Sequence, residues 1–225
     1  MDLVIVGAGS IGISLVERAL AGGHDVVMVE PDAELAEQCA SQHDVRVLAM
    51  NVGDERFAEE SRLDHAEALI ATTGDDSTNI MTMLLGQEAA VNTLTSTVNQ
   101  AVHIDLFRRL GVRVLADPER LVAQHLLDIT LLPEASDVTT LRGGQQVIEL
   151  KIGQDSPLIG LSIEQIQQRE LLDHSLQVIA RVRGDKTTLV GPNEQLAADD
   201  GLIVFATERL RGRRRQIVYT PAKED

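Results

Sequence analysis

The run Leu3-Val4-Ile5-Val6 ends abruptly in Gly7-Ala8-Gly9-Ser10-Ile11-Gly12, and apolar residues then recur with helical spacing at Leu15, Val16, Ala19 and Leu20 before Gly22-Gly23. A short unbroken apolar run bounded by glycine is the pattern of a strand buried on both faces. Here the hydrophobic period switches from strand to helix across a single turn. That junction constrains the chain more than any other feature, because a strand buried on both faces needs strands beside it and helices over it. The pattern is repeated. Residues 25–30 form the next apolar strand, and Pro31 opens the next helix at its first turn. Strands follow over 45–49 and 68–72, a helix over 77–90, a strand over 93–97, a helix over 102–110 and a short strand over 112–115. Asp117-Pro118-Glu119 starts a further helix, with the aspartate as N-cap, that runs to about residue 127. Alternation with connections this short predicts an α/β fold, a Rossmann-like doubly wound parallel sheet.

The pattern changes after Pro133. Residues 146–152 alternate polar and apolar side chains, 163–171 read as one short helix, and the strands 176–183 and 186–190 flank a hairpin turn at Gly184-Asp185. Asp199-Asp200-Gly201 leads into a last apolar strand over 202–206. The expected organisation is therefore a Rossmann domain over 1–134 and a smaller α+β domain over 135–225. Aromatic residues make up only 2% of the chain, with no Trp and a single Tyr. The core must be built from Val, Ile, Leu and Ala, which suits a parallel sheet covered by helices.

Charge divides the chain at a similar place. Residues 1–135 carry 8 basic and 22 acidic side chains, a net of −14, and residues 136–225 carry 12 and 13, a net of −1. An acidic N-terminal half argues against nonspecific nucleic-acid binding, which needs a basic face. No leader-like segment begins at Met1 and no apolar run approaches the roughly 20 residues that span a bilayer, so a soluble, intracellular protein is expected. The single cysteine, Cys39, cannot form an intrachain disulfide or a multi-cysteine metal site, and its expected place is a buried helix face.

Gly7-x-Gly9-x-x-Gly12 lies between the first strand and the first helix, where a phosphate-binding turn belongs. Gly7 permits the tight turn, Gly9 lets a pyrophosphate approach the backbone, and Gly12 lets the helix pack against the strand. Together with Ala8, Ser10 and Ile11 these residues put free N–H groups at a positive helix end. Glu30 ends the second strand, where an acid hydrogen-bonds ribose hydroxyls and repels a 2′-phosphate, favouring NAD-type or adenosine ligands over NADP. Asp54, after the third strand, is positioned to reach the adenine side. Thr72, Thr73 and Gly74, after the fourth, suit phosphate or the distal half of a dinucleotide. Gly, Asp and Thr are also ordinary turn residues, so each of these gains weight only from the glycines and Glu30.

No catalytic constellation accompanies this cleft. None of the histidines (His24, His43, His65, His103, His125, His174) has a partner at the spacing of a zinc protease helix, and there is no Tyr-x-x-x-Lys dyad or GxSxG elbow. A structural role is the expectation even for His125.

These residues resemble the RCK family, the regulators of conductance for potassium, in its TrkA/KtrA-type branch, and the resemblance covers nearly the whole chain. It is carried by the glycine loop, Glu30, Gly53-Asp54 and above all Ala71-Thr72-Thr73-Gly74-Asp75-Asp76-Ser77-Thr78-Asn79. Phe107-Arg108-Arg109-Leu110-Gly111-Val112 and the stretch from Asp117 to Val122 resemble the family's sixth-strand region and crossover helix. Ser156-Pro157-Leu158-Ile159-Gly160 resembles its second subdomain. The resemblance implies a cytoplasmic regulatory subunit, not an enzyme, peripheral to the inner face of the membrane. Such a subunit forms homo-oligomers from dimer to octameric ring, binds NAD(H), ADP or ATP, and gates an integral-membrane potassium channel or transporter. It also implies that Glu119 occupies the position of a family acid able to hold a cation at the dimer interface. A helix N-terminal acid opposing the dipole explains Glu119 equally well.

The chain departs from its relatives in three places. Ser10 stands where ATP-binding members often carry an arginine, Asn99 ends a stretch where many have one, and Asp200-Gly201 inverts the usual Gly-Asp. Fewer cations favour NAD(H) over ATP. TrkA-type proteins often hold two such units in tandem. The alternatives are a small NAD-dependent oxidoreductase and an RCK-type regulator of another cation transporter. The only cationic cluster, Arg209, Arg211, Arg213, Arg214 and Arg215, reads as a solvated helix end or as a face for a membrane or an acidic neighbour.

Overall fold

Most of the aliphatic strands consecutive along the chain become neighbours in space, the exception being the crossover that returns the chain to the middle of the sheet. The computed structural model describes residues 1–141 and 143–210, and the chain divides into two units, Met1–Arg120 and Leu121–Asp225. In the first unit the strands β1 (Asp2–Val6), β2 (Asp25–Val29), β3 (Arg46–Leu48), β4 (Ala68–Ala71), β5 (Thr93–Val98) and β6 (Arg113–Ala116) form a parallel sheet in the order β3-β2-β1-β4-β5-β6. The helices are α1 (Ser10–Ala21), α2 (Ala33–Gln42), the short α3 (Phe57–Glu60), α4 (Asp76–Glu88) and α5 (Ile104–Arg109), the last preceded by a 3-10 turn over Ala101–His103. Alternate residues of β1 enter opposite layers. Val4 and Val6 join Leu69, Met83 and Phe107 on one side, and Ile5 joins Val16, Met28 and Cys39 on the other. Cys39 is buried on α2, and burial pushes its thiol pKa up. Pro31 does not open α2. Asp32 caps it, accepting from the Glu34 and Leu35 N–H groups, and the helix begins at Ala33.

The strand order reverses between β1 and β4: β1, β2 and β3 wind outward on one side, then the chain returns to build β4, β5 and β6 on the other. The crevice outside the carboxyl ends of the strands at this point is where doubly wound sheets take ligands.

In the second unit β7 (Ala135–Thr140), β8 (Gln146–Lys151), β9 (Leu176–Arg183), β10 (Lys186–Leu189) and β11 (Gly201–Ala206) form an antiparallel sheet in the order β10-β9-β11-β8-β7. The Gly184-Asp185 hairpin forms as expected, with Gly184 at φ +58°. The helix α7 (Ile163–Gln168) covers this sheet through Ile163 and Ile166 and starts at a capping box between Ser162 and Gln165. One feature differs from expectation. β7 carries too few apolar residues to read as a strand, yet it pairs along its length with β8. The division between units falls at Arg120/Leu121, inside α6 (Pro118–Leu131), where Ile129 and Leu132 join the apolar cluster of the second sheet. No helix among the described residues is long and apolar enough to cross a membrane.

Candidate functional site

The three glycines do three separable jobs. Gly7 sits at φ +103°, and a Cβ there would lie 3.0 Å from Thr73 Cγ2 and 3.1 Å from Thr73 N. A side chain at Gly12 would run into the Gly7 carbonyl oxygen. At Gly9 a Cβ would meet nothing within 4 Å. Gly9 is the N-cap of α1, offers no side-chain cap, and is followed by no acidic residue in the first turn. The first N–H groups of α1, from Ser10 and Ile11 on, therefore meet open space at a positive helix end.

Glu30 follows β2 and is only 8% exposed. Its Oε2 accepts from the Ala8 N–H at 2.7 Å and its Oε1 from the Asp32 N–H at 3.0 Å. Glu30 thus pins the glycine loop, and a carboxylate with roughly four acceptor positions still has capacity for a ribose hydroxyl. Asp54 lies in the turn after β3, exposed, its Oδ2 accepting from the Asn51 N–H at 2.9 Å. The Thr72 hydroxyl donates to the carbonyls of Gly7 (3.1 Å) and Val6 (3.2 Å), bracing the loop from behind. Gly74 is exposed in the β4–α4 turn.

Beside Thr73 lies a cluster whose role the sequence did not disclose. Asn79, fully buried, accepts from the Thr73 N–H (3.2 Å) and hydroxyl (2.7 Å) and donates to the carbonyls of Thr73 (3.0 Å) and Thr97 (3.3 Å). Asp76, also buried, accepts from the Asn99 N–H (2.8 Å), the Asn99 side-chain amide (3.0 Å) and the Gln100 N–H (3.0 Å), and lies 2.8 Å from His103 Nδ1. Burial alone would raise the Asp76 pKa, but the hydrogen bonds from Asn99, His103 and Gln100 outweigh it and hold the carboxyl below its usual range. The missed signal was the doubled acid. Asp75 alone caps α4, bonding the Thr78 N–H and hydroxyl, so Asp76 is free for another task.

The remaining candidates stand apart. Glu119 is exposed in the first turn of α6, and no group of three or more metal-ligating side chains occurs among the described residues. His125 is tied locally, with Nδ1 3.1 Å from the Val138 carbonyl and Nε2 3.5 Å from Asp137. Asp200 is held by Arg183 Nε and Nη2, at 2.6 and 2.7 Å, and by the Ala197 N–H. Of the basic tail, Arg209 pairs with Asp128 at 2.8 Å, while Arg211, Arg213, Arg214 and Arg215 lie outside the described residues.

An uncapped helix end behind an open glycine, with an acid at the tip of the neighbouring strand, is the arrangement of a Rossmann-type fold. The model of the TrkA-N domain family matches residues 3–118, more than half of the chain, and the chain belongs to that family. It is 27% identical over 161 residues to a Trk system potassium uptake protein TrkA homolog of Methanothermobacter thermautotrophicus, covering 71% of this chain and 74% of that one. To the Trk system potassium uptake protein TrkA of Halomonas elongata it is 27% identical over 214 residues, 93% of this chain but 46% of that one, so the chain spans about half of that relative. Among solved structures it superposes on the GsuK channel bound to NAD with a TM-score of 0.59 at 20% identity, covering 91% of this chain and 37% of that one. At that identity the likeness is one of fold.

Proposed function

We propose that this chain is a nucleotide-sensing regulatory subunit of a potassium uptake system. It binds NAD(H) in the first unit, with ADP and ATP as weaker competitors, and acts on an integral-membrane transporter from the cytoplasmic face as a homo-oligomer. The observation that carries this reading is the open Gly9 backbone at the uncapped start of α1, beside the buried Glu30. Family membership and the names of the relatives supply the potassium side. In this reading Gly7, Ala8, Gly9, Ser10, Ile11 and Gly12 hold the phosphates, Glu30 the ribose and Asp54 the adenine side. Thr72, Thr73 and Gly74 border the distal half. The Glu30 carboxylate would repel a 2′-phosphate, and no arginine stands at position 10 or 99 to favour a triphosphate. Exposed Leu106, Leu121, Val122, Leu126 and Leu127 supply apolar surface for self-association. Glu119 contributes to a cation site only where a second copy brings further ligands.

Calorimetry with NADH, NADP(H), ADP and ATP tests the reading. Gly9→Val should abolish binding while leaving the melting temperature within about 2 °C, since its side chain enters open space. A Gly9→Val protein that binds as well as the parent would refute the site, and saturable hydride transfer from NADH would refute a regulatory role.

A further inference from the structure

The loops after β4 and β5 are wired together more tightly than turns require, and the wiring reaches the glycine loop. Thr73 abuts Gly7, close enough to crowd any Cβ placed there. The Asn99 amide donates to the Thr73 carbonyl at 3.2 Å and to Asp76 at 3.0 Å, and Asp76 in turn holds the Gln100 N–H and His103. A continuous path therefore runs from Gly7 through Thr73 and Asn99 to Asp76 and His103. The sheet order gives this path its meaning. Glu30 and Asp54 stand at the ends of β2 and β3, on one side of β1, and these loops stand at the ends of β4 and β5, on the other. A dinucleotide crossing the switch point with its adenosine on Glu30 must lay its other half over the β4 and β5 loops.

Resting on the nucleotide-binding reading above, we propose that Asp76 is the positioning residue for the distal half of the dinucleotide, acting through Asn99 and His103, and that His103 makes binding of this anionic ligand proton-linked. Asp76 itself is buried and reaches the ligand only through what it holds. His103 is about one-third exposed, so its ring meets both Asp76 and solvent. Nδ1–H donates to Asp76 in the neutral and the charged imidazole alike, so protonation adds a positive charge at the rim without breaking the anchor. The surrounding charges leave that effect intact. On α5, Asp105 is paired with Arg108, and Arg109 donates to the Asp105 carbonyl. α4 contributes Asp75, which caps its own helix. After β6, Asp117 bonds the Arg120 N–H, Arg113 is exposed, and β5 carries no charged side chain. A cation at His103 attracts an anionic ligand, so protonation of the exposed side of its ring strengthens binding.

Calorimetry on the full chain separates the two halves of the ligand. AMP probes the adenosine side alone, and NADH, whose diphosphate does not titrate near neutrality, probes both. At about pH 8, Asp76→Ala should weaken NADH roughly tenfold, the equivalent of about one charged hydrogen bond, and AMP by less than about twofold. Parent protein should bind NADH about two- to fivefold more tightly at about pH 6 than at about pH 8, the scale of one partly screened charge. His103→Asn keeps a donor where Nδ1 lies but never charges, so it should lose the pH dependence, whatever its affinity at the higher pH. It carries the test alone if Asp76→Ala fails to fold. Equal weakening of AMP and NADH in a folded Asp76→Ala protein overturns the positioning role. A pH profile absent from the parent, or retained in His103→Asn, overturns the proton link. If neither NADH nor AMP binds the parent at any pH, the nucleotide reading fails and this inference with it; if both bind and only these variants are silent, the inference alone fails.

Discussion

In the unit from Met1 to Arg120, the buried carboxylates of Glu30 and Asp76 accept mainly from loop backbone N–H groups: Ala8 and Asp32 for the first, Asn99 and Gln100 for the second. In the unit that begins at Leu121, buried Asp128 and Asp200 hold arginines. Asp128 accepts from Arg209, Gln124 and Thr140, and Asp200 from Nε and Nη2 of Arg183. In the first arrangement the carboxylate fixes where a loop lies beside a cleft. In the second the charge is neutralised and the ion pair ties one segment to another. A buried carboxylate by itself therefore says little about function. Whether it holds a loop backbone beside the cleft or an arginine inside a sheet domain distinguishes positioning from support.

The largest expected effect breaks the second arrangement. Arg209→Ala leaves Asp128, 3% exposed, without its cation, and a buried unpaired charge costs about 3 kcal/mol or more. Denaturant melts should show that loss, and Arg209→Gln with Asp128→Asn should recover most of it. Arg209, the Thr140 hydroxyl and Gln124 together outweigh burial and hold the Asp128 carboxyl below its usual range. Such a group contributes stability that is present above its unfolded pKa of about 3.9 and is lost as pH falls through the lower folded value. The parent should therefore weaken below about pH 4, and Asp128→Asn should show a shallower acid limb. A variant lacking Arg209 that melts like the parent would erase the distinction between the two units.

A smaller effect is expected at Gly12, where the first unit's geometry, not its charge, is under test. Gly12→Ala drives a methyl into the Gly7 carbonyl, and the backbone shift needed to accept it costs about 1–3 kcal/mol. Gly9→Ala, with nothing near its Cβ, should cost less than about 1 kcal/mol. Equal melts for the two would mean that helix packing does not set the loop.

The parallel sheet was legible because two-sided burial leaves unbroken apolar runs, and the glycine loop because each glycine has a steric reason to be there. Glu30 was readable from its place at the end of β2, although its bond to Ala8 was not. β7 was invisible: Ser136, Asp137, Thr139 and Thr140 give it the composition of a loop, and only pairing with β8 makes it a strand. The division inside α6 was invisible for a similar reason, since which sheet a helix half covers depends on long-range packing. Asp76, Asn79, Asn99 and His103 are ordinary turn and helix residues one by one, and their role appears only when parallel pairing brings β4 beside β5.

A modest effect on stability, and the sharpest test of the comparison, is expected at Glu30. Glu30→Gln keeps the side-chain length and one acceptor oxygen but turns the other oxygen into a donor, so either Ala8 or Asp32 loses its partner. One hydrogen bond from a loop N–H to the carboxylate amounts to about 1.5 kcal/mol, below the cost of stranding Asp128. A chemical consequence should accompany the structural one. With the negative charge gone, a 2′-phosphate meets no repulsion, while ribose hydroxyls lose a charged acceptor. NADH should bind several-fold more weakly, and the ratio of NADPH to NADH affinity should rise roughly tenfold, about 1.4 kcal/mol of altered preference. Competition calorimetry with the two dinucleotides, paired with a denaturant melt, reads both quantities on one sample. A melt as damaged as that of Arg209→Ala, with no change in preference, would make Glu30 a supporting carboxylate like Asp128. A changed preference on a nearly intact fold is the signature of an acid that faces the ligand.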